Sequence, residues 1–233
     1  MHTVCIIQAR MGSSRLPGKV MKPLAGKPAL WHVVDRAGRC RLIDEIVIAS
    51  TTEPADQRIV DYCKDQGWNV TRGSESDVLE RYHQTAIAYA ADIVIRITSD
   101  CPLIDPGILT RLIREFTAGD VDYMSTNYPS RTFPVGCDCE IMTVEALDRA
   151  HKEATAPYDR EHVTPYLYTN PDRFRVAGII DDQNHANVRL TLDTAQDYDL
   201  LAAIYERYYR PGEIVKLSDA VMFYVDANDV SNA

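Results

Sequence analysis

The chain has 233 residues, with 34 acidic against 25 basic side chains for a formal charge of −9, and 45% of its residues are apolar. That size and apolar share let one α/β domain of roughly 200–250 residues bury a core without disulfide or metal staples, and they exclude a disordered or collagen-like chain. The acidic balance argues against nucleic acid or a membrane surface as the main partner, because binding to a phosphate backbone needs a broad basic surface.

No apolar run reaches the ~18 residues of a spanning helix, and Met1-His2-Thr3 leads straight into a strand without a charged leader, which points to the cytoplasm. Cys5, Cys40, Cys63, Cys101, Cys137 and Cys139 have no C-x-x-C spacing, so reduced thiols are expected rather than disulfides or a zinc site.

Hydrophobic periodicity predicts strands at Thr3–Gln8, Glu45–Ser50, Trp68–Thr71, Asp92–Thr98 and Val121–Ser125. Between them it predicts helices at Ala29–Arg39, Asp56–Gln66, Val78–Ala90 and Pro106–Thr117. This βαβα alternation calls for one Rossmann-like α/β domain, a mostly parallel sheet sandwiched by helices. After Asn127 the texture changes to a segment punctuated by Pro and Gly, followed by a strand at Cys139–Thr143 that reads as an antiparallel addition. Further on come helices at Val144–Glu153, Arg160–Thr169, Ala195–Tyr208 and Ser218–Ala227, and strands at Phe174–Ile180 and Val188–Leu192.

The first strand empties into Gln8-Ala9-Arg10-Met11-Gly12-Ser13-Ser14-Arg15-Leu16-Pro17-Gly18-Lys19. From Arg10 to Lys27 there are five basic residues and no acidic one, in an otherwise acidic chain. A Gly/Ser-rich loop at the C-terminal end of a strand offers backbone N–H groups to anions, and the added cations suit a polyphosphate. The spacing is neither a Walker A loop nor G-x-G-x-x-G.

Two carboxylates, Asp100 and Asp193, follow apolar strand-like runs in comparable positions. Carboxylates at strand ends facing a phosphate loop suit Mg²⁺, which takes one or two of them plus phosphate oxygens and water. The bland reading of each is a helix N-cap, a role that Asp193 before Thr194 or Asp105 before Pro106 could fill.

Ile7 to Lys19, with Gly26-Lys27-Pro28 beyond, resembles the start of the cytidylyltransferases that make CMP-activated sugar acids, and in particular the spore-coat polysaccharide SpsF branch. Arg72-Gly73-Ser74-Glu75-Ser76-Asp77-Val78-Leu79, Ser99-Asp100-Cys101-Pro102 and Leu192-Asp193-Thr194 with Asp197 look like that family's later elements. Arg160-Glu161-His162-Val163-Thr164-Pro165-Tyr166 looks like a block of the SpsF branch.

The resemblance implies a fold of the nucleotide-diphospho-sugar transferase type and a homodimer. It also implies CMP transfer from CTP to a small acceptor, a sugar acid or relative, with Mg²⁺ as cofactor and release of pyrophosphate. It places Gln8, Ala9, Arg10, Gly12, Ser13, Arg15 and Lys19 on the nucleotide, Arg72, Ser74 and Asp77 near its base, and Asp100 with Asp193 on the metal. Lys19 would neutralise α-phosphate charge in the transition state, with Arg10 and Arg15 on the leaving phosphates.

The acceptor-side region, about 127–170, concentrates Arg131, Glu140, Arg160, Glu161 and His162, and an Arg fork suits a carboxylate or phosphate. A nucleotide-sugar glycosyltransferase is the competing enzyme class, although Asp138-Cys139-Glu140 is a poor D-x-D turn. A non-catalytic nucleotide-binding module is the other alternative, and the presence of Lys19, Asp100 and Asp193 speaks against it.

Overall fold

A computed structural model describes residues 1–231. The chain begins with β1 (Thr3–Gln8), the short hairpin strands β2 (Pro23–Leu24) and β3 (Lys27–Pro28), α1 (Ala29–Gly38), β4 (Glu45–Thr51), α2 (Gln57–Asp65) and β5 (Asn69–Gly73). There follow α3 (Val78–Ala88), β6 (Ile93–Thr98), α4 (Pro106–Ala118), β7 (Tyr123–Ser125), β8 (Glu140–Thr143) and α5 (Val144–Glu153). The remainder is α6 (Pro157–His162), α7 (Pro165–Tyr168), β9 (Val176–Gly178), α8 (Ala195–Tyr208) and α9 (Leu217–Ser231).

Seven strands form one sheet in the order β5-β4-β1-β6-β8-β7-β9. Only β8 runs against its neighbours, pairing antiparallel with both β6 and β7. The expected mostly parallel sheet with an antiparallel addition is therefore the observed one. β1 lies between parallel β4 and β6 and is buried on both faces, which explains its unbroken apolar run Val4-Cys5-Ile6-Ile7.

Helices cover both faces. The core on one side joins Leu30, Val33, Ile59, Leu109 and Leu112 to Cys5, Ile7 and Ile95 of the sheet. On the other, Leu79, Tyr82, Ala146 and Leu147 close over Val4, Ile6 and Val94. A third cluster ties Leu190, Leu192, Leu201, Ile204 and Tyr205 to Leu16 and Leu24. All six cysteines are free and buried, and no described helix is long and apolar enough to cross a membrane.

Helix starts follow their caps. Asp77 accepts from the Glu80 N–H at 2.9 Å, Asp105 from the Gly107 N–H at 2.7 Å, and Thr143 from the Ala146 N–H at 3.1 Å. At α8, Thr194 and Asp197 cap each other reciprocally.

Two expectations change. The helix expected over Arg160–Thr169 breaks into α6 and α7, because Val163 sits at φ 73° and Pro165, lacking an N–H, starts a new turn. The strand expected at Val188–Leu192 is extended but not part of the sheet. Arg189 bridges to Val135, the Leu190 N–H donates to Val135 O at 2.7 Å, and the Leu192 N–H donates to Asp100 O at 2.8 Å.

Candidate active site

The chain order β1, β4, β5 builds the sheet in one direction from β1, and β6 then adds on the other side. Loops leaving β1 and β6 therefore diverge and leave a crevice at their C-terminal ends, the place where open α/β sheets bind ligands. Gln8 and Thr98, the final residues of β1 and β6, stand opposite each other in register at its floor.

The basic loop folds back over this crevice through its own backbone. The Gly18 N–H donates to Met11 O at 2.9 Å, and the Leu16 N–H donates to Ser13 Oγ at 3.3 Å. Asp56 anchors it from outside, accepting from the Met11 N–H at 2.6 Å. Gly18 occupies the left-handed region at φ 68°, which turns the chain so that Lys19 opens a short 3-10 turn with its side chain directed inward.

The Lys19 ammonium donates to Asp100 Oδ2 at 2.6 Å and to Asp193 Oδ1 at 2.7 Å. Burial works against this cation, but the two carboxylates outweigh it and hold Lys19 above the ordinary lysine pKa. Asp193 also meets Arg15 at 3.3 Å and Arg189 at 2.9 Å. Burial alone would raise its pKa; Lys19, Arg189 and Arg15 keep it below the usual carboxylate value. The two aspartates are fixed relative to each other, since Asp100 O accepts from both the Leu192 N–H (2.8 Å) and the Thr191 hydroxyl (3.1 Å). Neither is a helix cap, which removes the bland reading of Asp193, since Thr194 fills that role.

A cavity of about 330 Å³ opens here, lined by Gln8, Ala9, Arg10, Gly12, Ser13, Arg15, Lys19, Asp100 and Asp193. Across from the loop stand Val78, Arg81, Glu161 and His162. A second cavity of about 560 Å³ adjoins it and shares Thr98 and His162. Its walls carry Arg96, Asp138, Glu140 and the rings of Tyr123, Tyr128, Tyr158 and Tyr168. Glu140 faces Arg96 across the antiparallel register and pairs with it, and it accepts from Tyr123 (2.5 Å) and Thr164 (2.6 Å) hydroxyls.

Other expected site residues lie outside both linings. Arg72 turns toward the end of β4, donating to Thr51 O (2.8 Å), Glu53 O (3.1 Å) and Gln57 Oε1 (2.9 Å). The Ser74 hydroxyl accepts from the Asp77 N–H at 3.0 Å, and Asp77 caps α3 while its other oxygen takes the Arg160 fork at 2.5 and 3.0 Å. Arg160 is thus committed to Asp77 and to His151 O. Arg131 pairs with Asp138, which itself lines the larger cavity.

Arg81, Arg96 and Arg189 were missed by the sequence reading. For Arg81 a signal existed, because it falls on the same face of α3 as the buried Val78, Tyr82 and Thr85, where a charge is out of place.

Residues 4–215 match the sequence profile of the cytidylyltransferase family. The chain belongs to that family. Consistent with this, it is 34% identical over 209 residues to the spore coat polysaccharide biosynthesis protein SpsF of Bacillus subtilis, covering 87% of this chain and 85% of that one. A cytidylyltransferase structure from Leptospira borgpetersenii superposes with a TM-score of 0.86 at 32% identity, covering 100% of this chain and 94% of the other. The fold is shared with a CMP:2-keto-3-deoxy-manno-octonic acid synthetase in complex with CTP, at a TM-score of 0.67, 19% identity, and coverage of 89% and 99%. This cytidylyltransferase is accordingly a nucleotidyltransferase, and its basic loop, Lys19 and paired aspartates lie in one cleft.

Proposed function

We propose that this cytidylyltransferase moves CMP from CTP to a sugar acid or related acceptor, with Mg²⁺, releasing pyrophosphate in the synthesis of a surface glycan precursor. The observation that carries the reading is the Lys19 ammonium held between Asp100 and Asp193 at the foot of a basic loop, inside a cleft that opens into a second, tyrosine-lined cavity. The likeness to a spore coat polysaccharide protein supports the glycan role.

The donor set fits a small hard cation. Asp100 and Asp193 already share one cation, the Lys19 ammonium, and both offer carboxylate oxygens. Two carboxylates suffice for Mg²⁺, which takes one or two of them and completes its shell with water and phosphate oxygens. When bound, Mg²⁺ supplies charge neutralisation at the reacting phosphate.

In this reading Arg10, Ser13 and Arg15 hold the triphosphate, and Lys19 neutralises the charge that builds on the α-phosphate. An acceptor oxygen attacks the α-phosphorus in line, the α–β bridging P–O bond breaks, and pyrophosphate leaves against Arg10 and Arg15. Transfers of this type depend on positioning and electrostatics more than on a covalent nucleophile. The acceptor occupies the larger cavity, with Thr98 and His162 at the junction where the two substrates meet, Glu140 and the Arg131-paired Asp138 in its wall, and Glu161 on the nucleotide side of that junction.

Thermal unfolding with each of the four ribonucleoside triphosphates, with and without Mg²⁺, tests the nucleotide half. A ligand that binds only the folded state adds about 2.7 kcal/mol at 100 times its Kd. A selective, Mg²⁺-strengthened shift with CTP, followed by acceptor-dependent pyrophosphate release, is the expected result. A shift with a nucleoside-diphosphate sugar alone refutes it.

A further inference from the structure

Two polar atoms in the wall of the smaller cavity are buried without a hydrogen-bond partner, the side-chain oxygen of Gln8 and Nε of Arg81. Arg81 is only 2% exposed, and one of its terminal nitrogens donates to Ser74 O at 2.7 Å. The acidic groups around it are engaged elsewhere. Glu75 pairs with Arg10, Asp77 with Arg160, and Asp56 holds the Met11 N–H and the Thr51 hydroxyl. Burial accordingly depresses the Arg81 pKa. A buried guanidinium with spare donors and a buried amide oxygen with no donor are both costly, and a ligand that supplies the missing partners recovers that cost.

The fold makes room for this arrangement. A Cβ on Gly73 would come within 3.1 Å of Arg81 Cγ, so the bare glycine lets the arginine stem pass beneath β5. Val78, one turn earlier on α3, gives the same wall an apolar surface.

Resting on the reading of this cleft as a CTP site, we infer that Arg81 and Gln8 select the base. Arg81 donates to N3 and O2 of cytosine, and the Gln8 oxygen accepts from the exocyclic N4 amine. Uracil reverses two of these groups, turning an N3–H toward the guanidinium and O4 toward the amide oxygen. Adenine keeps an amine beside a ring nitrogen but has a C–H where cytosine has O2. A phosphate or carboxylate would satisfy Arg81 and leave the Gln8 oxygen facing another acceptor, which is why a base edge fits the pair better than an anion.

Calorimetric titration of the whole protein with CTP, UTP and 3-deaza-CTP, in which N3 is a C–H, decides the matter. The wild-type protein is expected to prefer CTP over either by on the order of 10- to 100-fold, the discrimination a paired polar readout provides. In Arg81→Lys, and separately in Gln8→Met, the preference should shrink to within about 3-fold through loss of CTP affinity. Arg81 packs under Gly73 and its variant could unfold, so the 3-deaza-CTP comparison in the wild-type protein stands by itself: equal affinity for CTP and 3-deaza-CTP overturns the assignment. Full discrimination in a folded Arg81→Lys protein also overturns it, and an accompanying loss of acceptor affinity would give Arg81 to the acceptor instead. If the wild-type protein shows no preference for CTP over the other ribonucleoside triphosphates, the CTP reading itself fails and the assignment with it.

Discussion

Lys19 Nζ and Asp193 Oδ1 stand 2.7 Å apart, although 174 positions separate them in the chain. The contact joins the loop after β1 to the extended run before α8, and it places a cation where a nucleotide's phosphates are expected.

Replacing Lys19 by Ala should lower turnover by on the order of 100- to 1,000-fold while changing CTP affinity much less, because the charge it neutralises peaks in the transition state. Steady-state pyrophosphate release set beside equilibrium CTP binding gives the two numbers. Equal and small changes in both would remove Lys19 from the chemistry.

Asp100→Asn and Asp193→Asn should each bring Mg²⁺-dependent turnover to background and still unfold cooperatively. The second should also cost about 1–3 kcal/mol in denaturant unfolding, since it takes a carboxylate from Lys19, Arg15 and Arg189 together. Activity surviving in both variants would refute their role as metal ligands.

Arg189 grips Asp193 Oδ2 and Asp197 Oδ1, each at 2.9 Å, so it sets how the Asp193 carboxylate faces the cleft. Lysine keeps the charge but cannot fork. Arg189→Lys should raise the Mg²⁺ concentration needed for half-maximal rate by about 10-fold with little change in CTP affinity. An unchanged Mg²⁺ dependence would show Arg189 to be structural only.

Much of this was legible in the chain because it is local. The apolar run of β1, the cations from Arg10 to Lys27, and the carboxylates after β6 and before α8 all follow from short-range pattern. What was not legible depends on distant partners. Arg72 reads as a cleft residue until the carbonyls of Thr51 and Glu53 claim it, and Arg160 reads as an acceptor fork until Asp77 takes it. Val188–Leu192 has strand composition, yet its neighbours are the loops at Val135 and Asp100 rather than a sheet edge. Burial of Arg81 is set by α3 packing on the sheet, which periodicity hints at only through a charge among apolar positions.

Gly136 lies beside that run at φ 103°, and a Cβ there would come within 2.6 Å of the Leu190 carbonyl carbon and 2.7 Å of the Thr191 nitrogen. Gly136→Ala should therefore destabilise by at least about 2–3 kcal/mol and also reduce activity, because Asp193 follows directly on the displaced backbone. Denaturant unfolding with an activity assay on the folded fraction checks both. Full activity per folded molecule would uncouple the loop from the site.

Buried thiols set an alkaline limit. Burial raises the pKa of Cys5, Cys101, Cys137 and Cys139, and it pushes Cys63 up to about 12. A group whose folded pKa is raised adds stability that is complete below its unfolded value, near 9, and is lost as pH climbs from there toward the folded value. The stability read from urea unfolding should thus hold to about pH 8 and fall between about pH 9 and pH 11, by up to about 1.4 kcal/mol per pH unit for each thiol. A thiol reagent should react only as the protein unfolds. A midpoint flat across that range would contradict the burial.

The single reversed strand has a wider meaning. Because β8 runs backwards, it presents its first residue, Glu140, at the side of the sheet where its parallel neighbours end. In the proposed reading, the stretch that feeds this strand lines the acceptor cavity with Asn127, Tyr128 and Asp138 and also braces, through Val135 and Gly136, the run that ends at Asp193, so a change made for the acceptor is transmitted to the donor side.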